Sequence, residues 1–246
     1  MEIKVRNVSK SFGPEPVLKD ISMETSEGDS LLIYGKNGAG KTTLLKLLNL
    51  LETPDRGEIC YQTGQNRYHF PNDRRRNLVI QRKMVFVPQT PVIFSGCLYR
   101  NVELGLRLRG ELKPAAEMET GLKMFGLWEL KERWAAALSS GQKQKTSLLR
   151  SLLLDCKLVL LDEPTNHLDE KGKEALKTLL LEKRARGIGF IVSTPDLKEW
   201  TGFPFDKTYH LREGGLDDIS LESKGYNLER DTDPVLGTSP AHPFAR

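Results

Sequence analysis

Gly35-Lys36-Asn37-Gly38-Ala39-Gly40-Lys41-Thr42 follows the short apolar run Leu31-Leu32-Ile33-Tyr34 and runs directly into Thr43-Leu44-Leu45-Lys46-Leu47-Leu48. The apolar run reads as a buried strand. The leucines at 44, 45, 47, 48 and 51 recur on what should be the packed side of a helix, so the stretch is strand, loop and helix in succession. Glycines at 35, 38 and 40 let the backbone curl until successive amides point inward. There they and the positive N-terminal end of the helix can hold polyphosphate oxygens. The candidate phosphate cradle is Gly35, Lys36, Asn37, Gly38, Ala39 and Gly40 with Lys41, Thr42 and Thr43. Lys41 is placed to reach the β- and γ-phosphates and the Thr42 hydroxyl to ligate Mg²⁺. A glycine-rich connection that carries a lysine by coincidence has no need of this strand-to-helix setting, so the stretch predicts a P-loop α/β fold with a nucleoside triphosphate site.

The rest of the composition fits that reading. A chain of 246 residues can bury a large core. With 37 basic and 33 acidic residues interspersed along it, the charge does not call for nucleic acid, and no nucleic-acid partner is expected. Cys60, Cys97 and Cys156 are far apart and share no ligand spacing, which argues against a metal cluster and a disulfide framework and fits a reducing compartment. The Met1-Glu2-Ile3-Lys4 start has no apolar signal region, and no run approaches the roughly 18 to 20 apolar residues needed to span a bilayer. If the protein works at a membrane, another chain is expected to cross it.

Residues 2 to 34 read as strands forming an antiparallel layer beside the P-loop strand, broken by Gly13-Pro14 and Glu27-Gly28-Asp29. Phe12 falls at a turn. Its ring either stacks on an adenine or folds back over the core. After Thr53-Pro54-Asp55-Arg56-Gly57 another strand is expected at 58 to 61, then a polar surface stretch from Gln62 to Lys83 that includes Arg74-Arg75-Arg76. Met84 to Val87 reads as a buried strand leading to Gln89, and about 90 to 157 as an inserted α-helical subdomain. Within it, Leu138-Ser139-Ser140-Gly141-Gln142 precedes a helix expected from Lys143 to Leu154 and offers hydroxyls and an amide at its N-terminus. Leu158 to Leu161 is a fully apolar strand ending in Asp162-Glu163-Pro164. Carboxylates at the carboxyl end of a buried parallel strand stand where α/β folds place their ligands. One can hold Mg²⁺ and its neighbour can polarise an attacking water. A helix from 169 to 184 should keep Lys171, Lys173, Lys177 and Lys183 in water; strands follow at 188 to 192 and 206 to 211, and 217 to 246 reads as a flexible tail.

Taken together, Gly35 to Thr42, Gln89, Leu138 to Gln142, Leu158 to Glu163 and Asn166-His167-Leu168-Asp169, in this order, resemble the nucleotide-binding subunits of ABC transporters over roughly residues 1 to 215. The resemblance implies a P-loop cassette over 1 to 216, an antiparallel β layer and the inserted helical subdomain. It implies ATP and Mg²⁺ as ligands, Asp162 supporting the metal, Glu163 as catalytic base, Gln89 contacting metal and water, and Phe12 stacking on adenine. It also implies two cassettes meeting head to tail, so that Ser139, Gly141 and Gln142 of one chain close over the nucleotide of the other, more readily as a homodimer than with a different cassette. The remaining implied partners are a transmembrane permease and a substrate-binding protein, with the chain on the cytoplasmic face of a membrane. The exposed-looking Thr90-Pro91-Val92-Ile93-Phe94-Ser95-Gly96 would border the permease groove, and Asn101 to Gly110 resembles importer cassettes for small oxyanions.

Two departures from the family pattern stand out. Ser140 replaces a glycine of the signature, and Pro195 stands where the family places a histidine, with Thr194 beside it able to donate only one hydrogen bond. Hydrolysis is therefore expected to be slow. Two other functions stay open on the sequence: a soluble ATPase acting on ribosomes or nucleic acid, suggested by Glu163 to Asp169, and a non-hydrolysing ATP-gated clamp, suggested by Pro195.

Overall fold

The computed structural model describes residues 1–71, 74–111 and 115–219, with only the backbone described for 74–76. Its centre is β3 (Ser30–Tyr34), whose first four residues are fully buried. It lies between β8 (Gly189–Thr194) and β9 (Lys207–Arg212) in a six-stranded sheet of order β10-β9-β3-β8-β7-β6. The flanking strands are β7 (Leu158–Asp162), β6 (Met84–Val87) and β10 (Gly215–Asp218). Every pairing is parallel except that of β9 with β10.

Strand alternation makes this sheet a partition between two cores. Leu31, Ile33, Leu158, Leu160 and Ile191 face one side, whereas Leu32, Val85, Val87, Val159, Leu161, Phe190 and Val192 face the other. A run that looks uniformly apolar in sequence thus feeds two layers, as expected for a parallel sheet covered on both faces. The first side is closed by α1 (Lys41–Leu48) and beyond it a four-stranded antiparallel sheet of order β2-β1-β4-β5. Its strands are β1 (Glu2–Ser11), β2 (Pro16–Thr25), β4 (Arg56–Thr63) and β5 (Asn66–Phe70). The second side is closed by α3 (Leu98–Arg109), α4 (Ala115–Met124), α5 (Ser140–Leu152) and α6 (Glu170–Ala185). Helix α2 (Arg74–Gln81) precedes β6. No helix among the described residues is long and apolar enough to cross a membrane.

Several expectations are corrected here. The polar stretch 62 to 83 contains β5 and α2, because β4 supplies a partner edge that pairs Cys60 with His69 and Gln62 with Arg67. The side chains of Arg74, Arg75 and Arg76 lie outside the described residues. Leu51 is exposed, since α1 ends at Leu48 and Leu50 turns the chain with a φ of 60°. Helix α5 starts at Ser140, three residues early, because Ser139 caps it. Lys183 is buried, its stem packed at the end of α6 and its ammonium 3.4 Å from the Leu154 carbonyl. The hairpin β9–β10 continues through Asp218, into the stretch expected to be tail; residues 220 to 246 lie outside the described residues.

Candidate functional site

The carboxyl ends of β3, β6, β7 and β8 converge on one place. The loop after β3 is tied to β8 by the Gly35 amide, which donates to the Thr194 carbonyl at 3.2 Å. Gly40 begins α1 with a φ of 103°, and a Cβ there would stand 3.0 Å from Leu18 and 3.1 Å from Val17. Only glycine meets both conditions without strain. The turn it permits aims Lys41 back under the loop, where the ammonium donates to the Gly35 carbonyl at 2.7 Å and the Lys36 carbonyl at 3.1 Å and pairs with Glu163 Oε1 at 3.0 Å.

Asp162 ends β7 directly beside Ser193 of β8. Its Oδ1 accepts from the Ser193 hydroxyl and its Oδ2 from the Thr42 hydroxyl, each at 2.7 Å. Glu163 follows with a φ of 45°, a region L-residues seldom occupy. Surrounding contacts hold it there: its amide donates to Ser193 Oγ at 3.0 Å, and its Oε2 accepts from Gln89 Nε2 at 2.7 Å and Asn166 Nδ2 at 3.0 Å. Strain held by so many partners is characteristic of functional positions. Lys41 and Glu163 are both buried, a setting in which an ion pair persists only with its remaining donors and acceptors satisfied, as here.

Of these groups Gly40, Lys41, Thr42, Gln89 and Glu163 line an open hollow of about 230 Å³, together with Val17, Asn37, Gly38 and Thr43, while Asp162 stands behind Thr42. Thr42 and Asp162 offer the hard oxygen donors that Mg²⁺ prefers, and Lys41 with the amides of the loop offers the positive lining a polyphosphate needs. Lys41 already has acceptors for all its N–H groups, so a phosphate entering the hollow competes with Glu163 for it. That exchange would release a carboxylate beside the entering group, the arrangement of a general base.

Other predicted residues stand elsewhere. Ala39 packs against the core under the loop. Phe12 does not fold over the core: it is 56% exposed, with the Lys10 ammonium 5.3 Å from its ring centre, and it does not line the hollow. Ser139 and Gln142 bind one another reciprocally, Ser139 Oγ accepting from the Gln142 amide at 3.2 Å and Gln142 Oε1 from the Ser139 amide at 3.0 Å. A single chain therefore leaves Ser139, Gly141 and Gln142 outside the hollow. A Cβ on Gly141 would lie 2.7 Å from the His167 carbonyl, so the loop after β7 packs against the start of α5 through backbone, while the His167 ring is exposed. Asp169 caps α6 by accepting from the Gly172 amide at 3.0 Å, and Lys145 at 2.8 Å is the main reason its carboxyl titrates below the usual range. Pro195 is half-buried. The Thr194 hydroxyl beside it donates to the Asp196 carbonyl at 3.0 Å and accepts from its amide at 3.1 Å, so its hydrogen-bonding capacity is engaged in its own turn.

Sequence reasoning missed Ser193 and Lys145, and it placed Asn166 in a motif without its contact to Glu163. Ser193 carried a usable signal, a small polar residue ending a buried strand; its partner Asp162 is 31 residues away and became its neighbour only through the register of β7 with β8.

A family model described as ABC transporter matches residues 18–166. The chain is 32% identical over 212 residues to a probable anion import ATP-binding protein of Haloferax volcanii, covering 80% of this chain and 73% of that one. It is 36% identical over 186 residues to the sulfate/thiosulfate import ATP-binding protein CysA of Pseudomonas aeruginosa, covering 73% of this chain but only 54% of the relative. Among solved structures, a dimeric ATP-binding cassette in a post-hydrolysis state bound to ADP and Pi superposes with a TM-score of 0.74 at 27% identity, covering 88% of this chain and 98% of that one.

Proposed function

Because this chain belongs to the ABC transporter family, we propose that it is the ATP-binding and hydrolysing subunit of a membrane importer, powered by nucleotide-driven pairing of two cassettes. The observation that carries this reading is the Glu163 carboxylate held between Lys41 and Gln89, beside the Thr42–Asp162 pair. In it the loop from Gly35 to Thr43 binds the phosphates of ATP, Thr42, Asp162 and Gln89 hold Mg²⁺ and its water shell, and Glu163 takes a proton from the attacking water. Phe12, exposed at the β1–β2 turn, stacks on the adenine. Ser139, Gly141 and Gln142 complete the site of a second cassette. The cassette runs from residue 1 through the β9–β10 hairpin, two residues beyond the expected end at 216, with its helical subdomain at about 90 to 157.

The chain works on the cytoplasmic face of a membrane against a permease. Phe94 is the contact proposed for it: the residue is 45% exposed, while Asn101 fixes its backbone on both sides, accepting from its amide at 2.8 Å and donating to its carbonyl at 2.9 Å. Phe94 thus stays presented on a rigid loop, as docking needs. A substrate-binding protein and a small oxyanion as cargo are the further elements of this reading, the latter supported by the names of the anion and sulfate/thiosulfate import relatives, though not by those named for Fe(3+) and spermidine/putrescine import, and by the stretch 101 to 110.

Mg·ATP turnover with Lys41→Ala and Glu163→Gln tests the chemistry. Lys41→Ala is expected to lose ATP binding and Glu163→Gln to keep binding while turnover falls by roughly 10² or more. Turnover in the wild type no higher than in Glu163→Gln would favour the ATP-gated clamp, the reading that Pro195 and the engaged Thr194 hydroxyl support. Phe94→Asp should keep ATP binding and lose co-purification with the permease; an intact complex would remove its docking role.

A further inference from the structure

The outer face of the antiparallel sheet carries a second cluster of reactive groups. Ile3, Val5, Ile59, Tyr61 and Phe70 turn inward from β1, β4 and β5, which leaves their alternate neighbours facing solvent. Those neighbours line a shallow hollow of about 70 Å³, where Cys60 stands across from Lys4 on one side and His69 on the other. Cys60 Sγ lies 3.9 Å from His69 Nε2, and His69 Nδ1 lies 3.3 Å from Glu58 Oε2. An ionised carboxylate only accepts, so Nδ1 carries the proton and Nε2 presents its lone pair to the thiol. This is the order of nucleophile, base and orienting acid found where thiols are activated. Arg6 shares Glu58, and Arg67 donates to the neutral Gln62, which leaves Lys4 and Arg67 as cations at the rim against Glu2. Proton transfer from the thiol to His69 leaves the charge of the pair unchanged, so Lys4 and Arg67 carry the preference for an anion.

The geometry points to Cys60 as a modification site for small anionic disulfides, separate from the nucleotide hollow. His69 Nε2 accepts the thiol proton and the thiolate attacks one sulfur of the disulfide. The sulfur–sulfur bond of the reagent breaks and a mixed disulfide forms on Cys60. The leaving thiolate takes up the proton from His69, so Cys60 is oxidised, half of the reagent is reduced and no other oxidant is needed.

The test uses oxidised glutathione on the reduced native chain, with site-resolved mass spectrometry over time. Cys97 and Cys156 are internal references, and burial pushes the Cys156 thiol up, which lowers its thiolate fraction. Cys60 is expected to be modified roughly tenfold or more faster than either. His69→Ala should erase that advantage, while Glu58→Gln should reduce it less. Cationic cystamine should react at Cys60 more slowly than glutathione disulfide, the gap closing with salt. Equal wild-type rates at Cys60 and Cys97 would overturn the proposal without recourse to any variant, as would an unchanged rate in His69→Ala. Faster reaction with cystamine would overturn the anionic class.

Discussion

Glu163 is held from three directions, and the contacts differ in kind. Lys41 pairs with one carboxylate oxygen, while Gln89 and Asn166 bind the other, and Ser193 holds the backbone amide. In the proposed reading Lys41 turns to the phosphates and Gln89 offers its own carbonyl oxygen to Mg²⁺, so nucleotide entry can free Oε1 while the amide donors of Gln89 and Asn166 stay on Oε2. On that reading the loop after β8 offers this site no donor from 194 or 195. Pro195 has no N–H, and Thr194 is closed onto Asp196. A missing transition-state contact of that type costs roughly 10² to 10³ in turnover, with ground-state binding largely kept. The wild type is therefore expected to bind ATP ordinarily and to hydrolyse it slowly but measurably faster than Glu163→Gln. Pro195→His should raise kcat, by less than roughly 10²-fold, because a loop shaped by proline does not present an imidazole ideally. Steady-state kinetics on the three proteins decide this, and a Pro195→His enzyme no faster than the wild type would show that the loop is not the bottleneck.

Strands β3 and β9 are fastened at their starts. Asp206, just ahead of β9, accepts from the Ser30 amide at 2.8 Å and stands 2.7 Å from the Ser30 hydroxyl and 2.7 Å from Arg184. Partial burial by itself would raise its carboxyl; the Ser30 donors and Arg184 outweigh that and hold it below the ordinary value of 3.8. A depressed folded value means that its contribution is fully present above the unfolded pKa and is lost as pH falls through the folded one. Asp206→Asn should therefore cost about 1 kcal/mol at pH 7, the usual worth of charge-assisted bonds discounted for a side chain that is one-third exposed. The difference from wild type should shrink as the pH is taken down through that lowered value. Urea denaturation at pH 7 and along an acid series measures it, and a gap that persists in acid would mean that shape rather than charge is responsible.

The assembled chain leaves Ser139 exposed and Gly141, Gln142 away from the hollow they are proposed to serve, with Gly141 packed on the loop that leads from Glu163 to Asp169. In the proposed assembly a second copy supplies the missing wall. Glu163→Gln, which keeps the amide-binding contacts but not the base, is expected to form a stable dimer in Mg·ATP, and Lys41→Ala to remain monomeric. Light scattering at saturating Mg·ATP reads this; a monomeric Glu163→Gln protein would point to a different partner cassette.

The proposed phosphate loop, its lysine, the apolar strand that ends in Asp162 and the order of the remaining motifs were legible in the chain itself. Each of those depends on residues adjacent in sequence, where glycine conformation, helix periodicity and strand burial act locally. Three-dimensional structure decided what depends on register and burial. It put Ser193 beside Asp162, Asn166 on Glu163 and His69 on Cys60. It found β5 within a stretch that looks like polar surface and buried a lysine that periodicity places in water. Those outcomes arise because hydrogen bonds and desolvation are settled between segments that only the fold makes neighbours, and no local pattern records the partner in advance.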